Sequence, residues 1–413
     1  MNIPQGYKRT ELGIIPEDWE VKRISDFTSI ITGGTPSTQR PEYWGGSIMW
    51  MSSGELNKKF VFDVEGRITT EGLLNSSTHI IPPFCVLIGL AGQGKTRGTA
   101  AYNYISLCTN QSIAAILPND KYNSLYLYYV VDSKYEYLRL LSSGDGGRGG
   151  LNKNLLNSLE ISFPKTIAEQ QAIAEALGDI DGLIAALDKK IAKKRLIKQG
   201  AMSQLLTGKK RLPGFTDDWI EIRLGDYTAM NSGGTPSSSI LEYYNGDIPF
   251  LSISDITISG KYIKKTEKTI TKKGLQNSSA RMFPQGTIMY AMYASLGKTS
   301  IADIELSCSQ AILGITPNDK IDSNYLYYYL SFMENSVKEI GQTGTQTNLS
   351  KQIVQDFFLY IPTQINEQTA IATMLNDMDK EIDDLEAQRD KYRLLKSGMM
   401  QKLLTGQIRL KIK

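Results

Sequence analysis

The chain has 413 residues, 41% of them hydrophobic and 22% charged, with a formal net charge of +3. That length allows two to four domains with ample core, and so small a charge does not by itself declare a nucleic-acid partner. No apolar run approaches the ~18 residues of a membrane helix, and residues 1–16 hold no signal-peptide core, so a cytoplasmic protein is expected. Three cysteines without paired spacing and a single histidine, His79, argue against a disulfide framework, a zinc site and a Ser/His/Asp triad.

The first 145 residues or so after the N-terminal segment alternate short β-like runs, such as Cys85–Leu90 and Ser112–Leu117, with Gly, Pro, Ser and Asn punctuation. An aromatic helix candidate, Leu125–Leu141, follows, and the mixture reads as α+β. Next comes a long helical stretch. Ile173, Leu177, Ile180, Ile184, Leu187 and Ile191 step by four and three residues, the period of a coiled-coil seam. Residues 161–214 carry 10 basic and 5 acidic side chains.

The same succession then recurs. Trp19 and Asp26 return as Trp219 and Asp226, and Gly33–Ser37 returns as Gly233–Ser237. Asn75–Ser77 returns as Asn277–Ser279, Gly94–Thr96 as Gly297–Thr299, and Tyr126–Tyr129 as Tyr325–Tyr328. The tail Leu205-Leu206-Thr207-Gly208 returns as Leu403-Leu404-Thr405-Gly406. A second aromatic helix candidate, Tyr325–Ile340, precedes a second seam of Ile371, Leu375, Met378, Ile382 and Leu385. So many matches in order mean an internal duplication. The expected domains are 1–163, a spacer helix 164–212, a second globe 213–362 and a second helix 363–413. The fold expected is two similar mixed α/β globular domains separated by two long antiparallel coiled-coil helices with an internal pseudo-twofold repeat. The two seams are natural mates. From Ile167 to Lys193 such a helix spans ~40 Å at 1.5 Å per residue, close to the ~34–36 Å between successive faces of one DNA groove. Gly200 and Gly398 fall at matching places in the helices and suggest a bend or close packing there.

The opening Tyr7-Lys8-Arg9-Thr10-Glu11-Leu12-Gly13-Ile14-Ile15-Pro16-Glu17-Asp18-Trp19 resembles the start of type I restriction-modification specificity subunits. So do Ile167-Ala168-Glu169-Gln170-Gln171-Ala172-Ile173, its partner Ile365-Asn366-Glu367-Gln368-Thr369-Ala370-Ile371, and the Leu-Leu-Thr-Gly tails. The resemblance implies that each globe is a target recognition domain reading one half of a split, asymmetric site on double-stranded DNA. It implies that the helices set the spacer and dock two modification (methyltransferase) subunits, with restriction subunits joining in the full complex. It also implies that the chain does no chemistry and holds no cofactor. S-adenosylmethionine, used to methylate adenine, and ATP would belong to the partner subunits. A stand-alone sequence-specific DNA-binding protein or scaffold is the alternative.

Gly89–Thr96 fits the P-loop pattern G-x-x-x-x-G-K-T. A P-loop must open a helix, and the following Arg97-Gly98-Thr99 carries no helical stripe. A turn touching DNA phosphate through Lys95, Thr96 and Arg97, with Lys298 and Thr299 in the second copy, competes with a purely structural turn. Ile81-Pro82-Pro83-Phe84 lacks the polar first residue of an adenine-methyltransferase motif and reads as a turn.

The loop Ser142–Gly150 and its counterpart Gly341–Asn348 differ most between copies, and both precede Leu-x-Lys. Arg pairs with guanine and Gln with adenine through two hydrogen bonds. Arg148, Gln342 and Gln346 are therefore candidates for base contact and Lys153 and Lys351 for phosphate, with Asn152 a further DNA-binding candidate, against the alternative of solvated loops. Lys58-Lys59 and Lys272-Lys273 are further phosphate candidates. The identical Gly33–Ser37 and Gly233–Ser237 segments read as a DNA-facing turn or a shared structural corner, and the corner is favoured because identical residues do not distinguish two half-sites.

Overall fold

The computed structural model describes residues 3–92, 94–142, 150–343 and 348–410, without the side chains of 340–343. The chain divides into two compact units, Met1–Asp188 with Gln388–Lys413, and Lys189–Ala387. Each unit thus holds one globe, the first part of the helix that follows it, and the last part of the other helix.

In the first unit the apolar runs form a five-stranded sheet of Ile30–Thr32 (β1), Phe60–Val61 (β2), Val86–Gly89 (β3), Ala100–Asn103 (β4) and Ile113–Ile116 (β5). Its order is β1-β5-β3-β4-β2, antiparallel except for the β2–β4 pair. Strands β3, β4 and β5 are buried on both faces, which is why they read as continuous apolar runs. Helices Ser124–Ser133 (α1) and Tyr135–Leu141 (α2) follow, then Ile167–Leu205 (α3). Glu20–Arg23 pairs with Glu160–Phe163 and so ties the start of the globe to the strand that leads into α3.

The second unit repeats this sheet with Thr228–Ser232 (β6), Tyr262–Ile263 (β7), Ile288–Ala291 (β8), Thr299–Ala302 (β9) and Ile312–Pro317 (β10) in the order β6-β10-β8-β9-β7. Helix Ser323–Thr343 (α4) and helix Ile365–Leu403 (α5) complete it. The single aromatic helix expected in the first copy is two helices. The Ser133 hydroxyl donates back to the Val130 carbonyl at 2.6 Å and competes with the helical ladder there. The second copy has Phe332 at that position and α4 runs on unbroken.

The register of one repeat is corrected by the pairing. Ile88 faces Ala100 and Tyr290 faces Thr299, and the amides of Gly98 and Gly297 close the same turn onto Gly89 and Ala291. Both glycines have positive φ, +81° and +77°. Gly297-Lys298-Thr299 is therefore the counterpart of Gly98-Thr99-Ala100, not of Gly94-Lys95-Thr96. The Gly-Lys-Thr turn of the first copy has no twin.

The helix seams serve two purposes. Ile173, Ala174 and Leu177 enter the core around Trp19, Tyr126 and Tyr129, and Leu403 and Leu404 from the tail of α5 join the same core. In the second unit Ile371, Ala372 and Leu375 pack with Trp219 and Tyr325, joined by Leu205 and Leu206 from the tail of α3. Beyond these turns the helices pair with each other. In the first unit Asp181 meets Lys396 at 2.7 Å, and Asp188 meets Arg393 at 3.3 Å and Arg389 at 3.5 Å. In the second unit Lys194 meets Glu381 at 2.7 Å, Arg195 meets Glu386 at 2.5 Å, and Lys198 meets Asp379. Numbers rise on one helix as they fall on the other, so the pairing is antiparallel. The surplus of basic residues in 161–214 is in part spent here, on carboxylates of α5. Along the seam Ile180, Ile191, Ile382 and Leu385 are buried, while Ile184, Leu187 and Met378 are half-buried.

Gly200 and Gly398 do not mark close packing. A Cβ at either position meets nothing within 4 Å, and both helices continue through them. Among the described residues no helix is long and apolar enough to cross a membrane, and no cluster of His, Cys, Asp or Glu could hold a metal.

Candidate nucleic-acid interface

The Glu-Gln pair of each helix start is built into the frame. Glu169, 3% exposed, receives both Nε and a terminal nitrogen of Arg409, at 2.5 and 2.7 Å. Glu367, fully buried, receives Arg211 at 2.9 and 2.6 Å. Such two-pronged pairs fix geometry as well as charge. Gln170 accepts from the Asn123 amide at 2.8 Å and donates to the Pro164 carbonyl, and Gln368 does the same with Asp322 and Pro362. These residues hold the aromatic helices in place and are not available for DNA.

The aromatic helices lock onto the long helices by a repeated triad. Tyr129 donates to Asp181, whose other oxygen takes Lys396, and that ammonium stands 5.3 Å from the Tyr129 ring centre. Tyr328, Asp379 and Lys198 repeat the arrangement with the same 5.3 Å separation. Burial beside a carboxylate holds both phenols well above their ordinary range, so they remain donors.

Several of the remaining sequence candidates lie near one end of each sheet. In the first unit four segments converge there. The Gly33 amide donates to Ile113, Leu90 to Ser112, and Leu151 to Leu90. The turn after β3 rests on α2, where Arg139 donates to the Gly94 carbonyl at 2.7 Å and Tyr135 to Lys95 at 3.2 Å. In the second unit Gly233 donates to Ile312, Met292 to Ala311 and Leu349 to Met292. The turns after β3 and β8 and the residues Leu151 and Leu349 are thus held on one shared scaffold.

The sequence candidates divide accordingly. Lys95 is exposed, Thr96 and Arg97 are half-buried, and Lys153 and Lys351 are exposed at the first positions of the short helices Lys153–Asn157 and Lys351–Gln355, all at this end. Asn152 caps its helix by accepting from Leu155 at 2.9 Å, a structural duty. The connection Gly89–Thr96 leads from β3 to the antiparallel β4 with no helix at its exit, so its phosphate-loop pattern has no helix N-terminus behind it. Arg148 and Gln346 lie outside the described residues, and Gln342 lies in α4. Thr299 is buried and donates to Gly297. Lys298 lies with Lys261 in a groove of about 730 Å³ beside α5. Lys58 and Lys59 are held by Glu55 and Asp132 at 2.7 and 2.6 Å, and Lys273 by Glu242. Lys272 is exposed.

Sequence reading passed over one pair at this end. The Thr35 hydroxyl donates to Gln111 Oε1 at 2.5 Å, and Thr235 donates to Gln310 Oε1 in the second unit. The two threonines belong to the repeated Gly-Gly-Thr-Pro-Ser run. The only available signal for the glutamines was one retained residue between changed neighbours.

Comparison with known proteins agrees with this architecture. A family model described as the type I restriction modification DNA specificity domain matches residues 16–194 and again 216–392. Among curated relatives, the type I restriction enzyme MjaIX specificity subunit of Methanocaldococcus jannaschii is 25% identical over 98% of this chain and 96% of its own length. The MjaVIII specificity subunit of the same organism is 25% identical over 96% and 94%. The crystal structure of the type I restriction-modification S subunit from M. genitalium shares the fold, with a TM-score of 0.62 at 16% identity over 98% of each chain. Two matches in succession, covering most of the chain, follow the duplication seen in the sheets, and the chain belongs to the type I restriction-modification DNA specificity family.

Proposed function

We propose that the chain is the DNA-specificity subunit of a type I restriction-modification enzyme, reading a bipartite asymmetric sequence with one half-site per globe. The observation that carries this reading is the division within each unit. The two copies agree in strand order, in the Tyr–Asp–Lys triad and in the Glu–Arg pair. They differ in the turns that follow β3 and β8 and in the sequence that precedes Leu151 and Leu349, whose amides are held at one end of each sheet, as two readers of different half-sites would.

In this reading the helices set the spacer between half-sites and dock two methyltransferase subunits, and restriction subunits join for cleavage. The chain holds no cofactor and catalyses nothing. S-adenosylmethionine and ATP are used by the partners. The test is to map methylated adenines in DNA from a host carrying the chain with a methyltransferase subunit. The expected result is one split motif with a fixed spacer. Changing the Ser142–Gly150 loop should alter one half of that motif only. A chain that binds DNA but purifies alone and directs no methylation would be the stand-alone alternative.

A further inference from the structure

The Thr35–Gln111 and Thr235–Gln310 pairs are identical in two domains whose neighbouring loops differ. By strand register Thr109, Asn110 and Ser112 of the first unit correspond to Cys308, Ser309 and Ala311 of the second. All three positions have changed, and the exposed glutamine between them has not.

The pair is not needed to hold the loop. Gly34 already donates to the Thr109 carbonyl at 2.8 Å and Gly234 to the Cys308 carbonyl at 3.0 Å. A Cβ on Gly33 would come within 2.0 Å of the Thr109 oxygen, and one on Gly233 within 2.2 Å of the Cys308 oxygen. The backbone is thus pressed into place before the side chains meet. What the threonine adds is orientation. Its hydroxyl donates to Oε1 in both units and so holds the carboxamide with that oxygen toward the threonine. Oε1 keeps a second lone pair. Among the described residues nothing accepts from Nε2 of Gln111 or Gln310. Each side chain thus presents an acceptor and a donor side by side, in fixed order, on an exposed rim.

That order matches the major-groove edge of adenine, where the N6 amino group donates and N7 accepts. We propose that Gln111 and Gln310, oriented by Thr35 and Thr235, each read one adenine that the two half-sites have in common. Identical residues do not tell half-sites apart, but they read what the half-sites share. This rests on the specificity-subunit reading above.

The experiment begins from the split motif found by methylated-adenine mapping. A motif with no split form overturns the specificity-subunit reading itself, whatever the glutamines do. Given the motif, duplexes are made in which one adenine at a time is replaced by 7-deaza-adenine, which lacks the N7 acceptor. The assembled complex should lose roughly 5- to 150-fold in affinity at one adenine in each half-site. Gln111→Ala should lose a similar factor on the unmodified duplex. It should become indifferent to the replacement in the first domain's half-site and keep its sensitivity in the other. Gln310→Ala should do the reverse. Gln111→Glu keeps the bond from Thr35 but puts an acceptor opposite N7, and should bind at least as poorly as the alanine variant with an unchanged melting temperature. Alanine variants that bind as wild type, or that keep the full penalty at every adenine, overturn the proposal.

Discussion

The hydroxyl of Tyr129 donates to Asp181 Oδ2 at 2.8 Å, joining the aromatic helix of the first globe to the long helix that leaves it. Lys396, from the other long helix, closes on Asp181 Oδ1 at 2.7 Å. One carboxylate therefore ties together three segments far apart in sequence. A hydrogen bond to a charged acceptor contributes about 1.5–3 kcal/mol. Tyr129→Phe should destabilise the chain by about that amount, and Asp181→Asn by a similar amount. The double variant should cost less than the sum, with a coupling of about 1 kcal/mol. Urea denaturation of the four proteins measures this. Additive effects would mean that the two groups do not act through each other.

Arg409 answers two carboxylates, Glu169 at 3% exposure and Asp18 at the surface. Arg409→Ala leaves Glu169 buried without its counter-charge. For a fully enclosed pair the cost is about 3–5 kcal/mol. Arg409 is partly solvated, so about 2–3 kcal/mol is expected. Adding Glu169→Gln should recover much of the loss. The hydrogen bond from Arg409 holds the Asp18 carboxyl below its ordinary value of 3.8. The unfolded carboxyl therefore takes up a proton first as pH falls. Its stabilising share is present above the ordinary value and disappears on acidification through the folded-state value. Denaturation midpoints between pH 5 and 3, taken as the difference between wild type and Arg409→Ala, should shrink toward the acid end.

Gly200 and Gly398 sit inside continuous helices with open space where a methyl group would go. Glycine there costs about 0.5–1 kcal/mol against alanine. Each Gly→Ala change should raise stability by about that amount, seen as a higher denaturant midpoint with unchanged slope. Destabilisation by either would reveal a bend or contact that the geometry lacks.

Repetition of Trp19, the tyrosines and the seams gave the duplication, the two globes and the helices, because periodicity and punctuation are local. The Leu-Leu-Thr-Gly tails were visible as a repeat, but not their destination. Leu403 and Leu404 enter the core built around Trp19, several hundred residues away. Glu169 and Glu367 stood out as motif residues, yet their arginines lie outside the motif, and Arg409 is 240 positions from Glu169. The Gly-Lys-Thr match between copies failed because two glycines four residues apart, Gly94 and Gly98, compete for it, and only strand pairing decides between them. Gln111 was missed because an exposed glutamine has no periodic signature.

The heptad pattern treats Leu177 and Ile184 as equals, and the structure does not. Leu177 is fully buried in the core of the first globe, while Ile184 is half-buried. A lysine at 184 can lead its ammonium along the helix to water, whereas at 177 it is enclosed. Leu177→Lys should cost more than 4 kcal/mol or prevent folding, and Ile184→Lys about 1–2 kcal/mol. Soluble yield and thermal melting distinguish them. Equal effects would mean that helix pairing, and not the globular core, dominates burial along the seam.

Lys261 is the counterpart of Lys59, but the partner has changed. Lys59 has Asp132 at 2.6 Å, and the matching residue near Lys261 is Ser331. Lys261 instead donates to Asn376 at 2.9 Å and lies 4.5 Å from the Tyr328 ring centre and 5.1 Å from that of Tyr327. Burial lowers its pKa from 10.5 to about 8, with Lys198 pushing the same way and Asp379 opposing. Between about 8 and 10.5 the unfolded chain then holds a proton that the folded chain has released. Stability should therefore rise with pH across that window, and this group should contribute no slope below it. Subtracting the Lys261→Met profile from wild type removes the other titrations, and the difference should climb between those limits. Ser331→Asp restores the arrangement of the first globe. It should return the ε-ammonium toward its ordinary range, read from the chemical shift of the reductively methylated amine, and should raise stability near pH 7.5. A Lys261 amine that titrates with the surface lysines in wild type would show that the tyrosines and Asn376 fully replace the missing carboxylate.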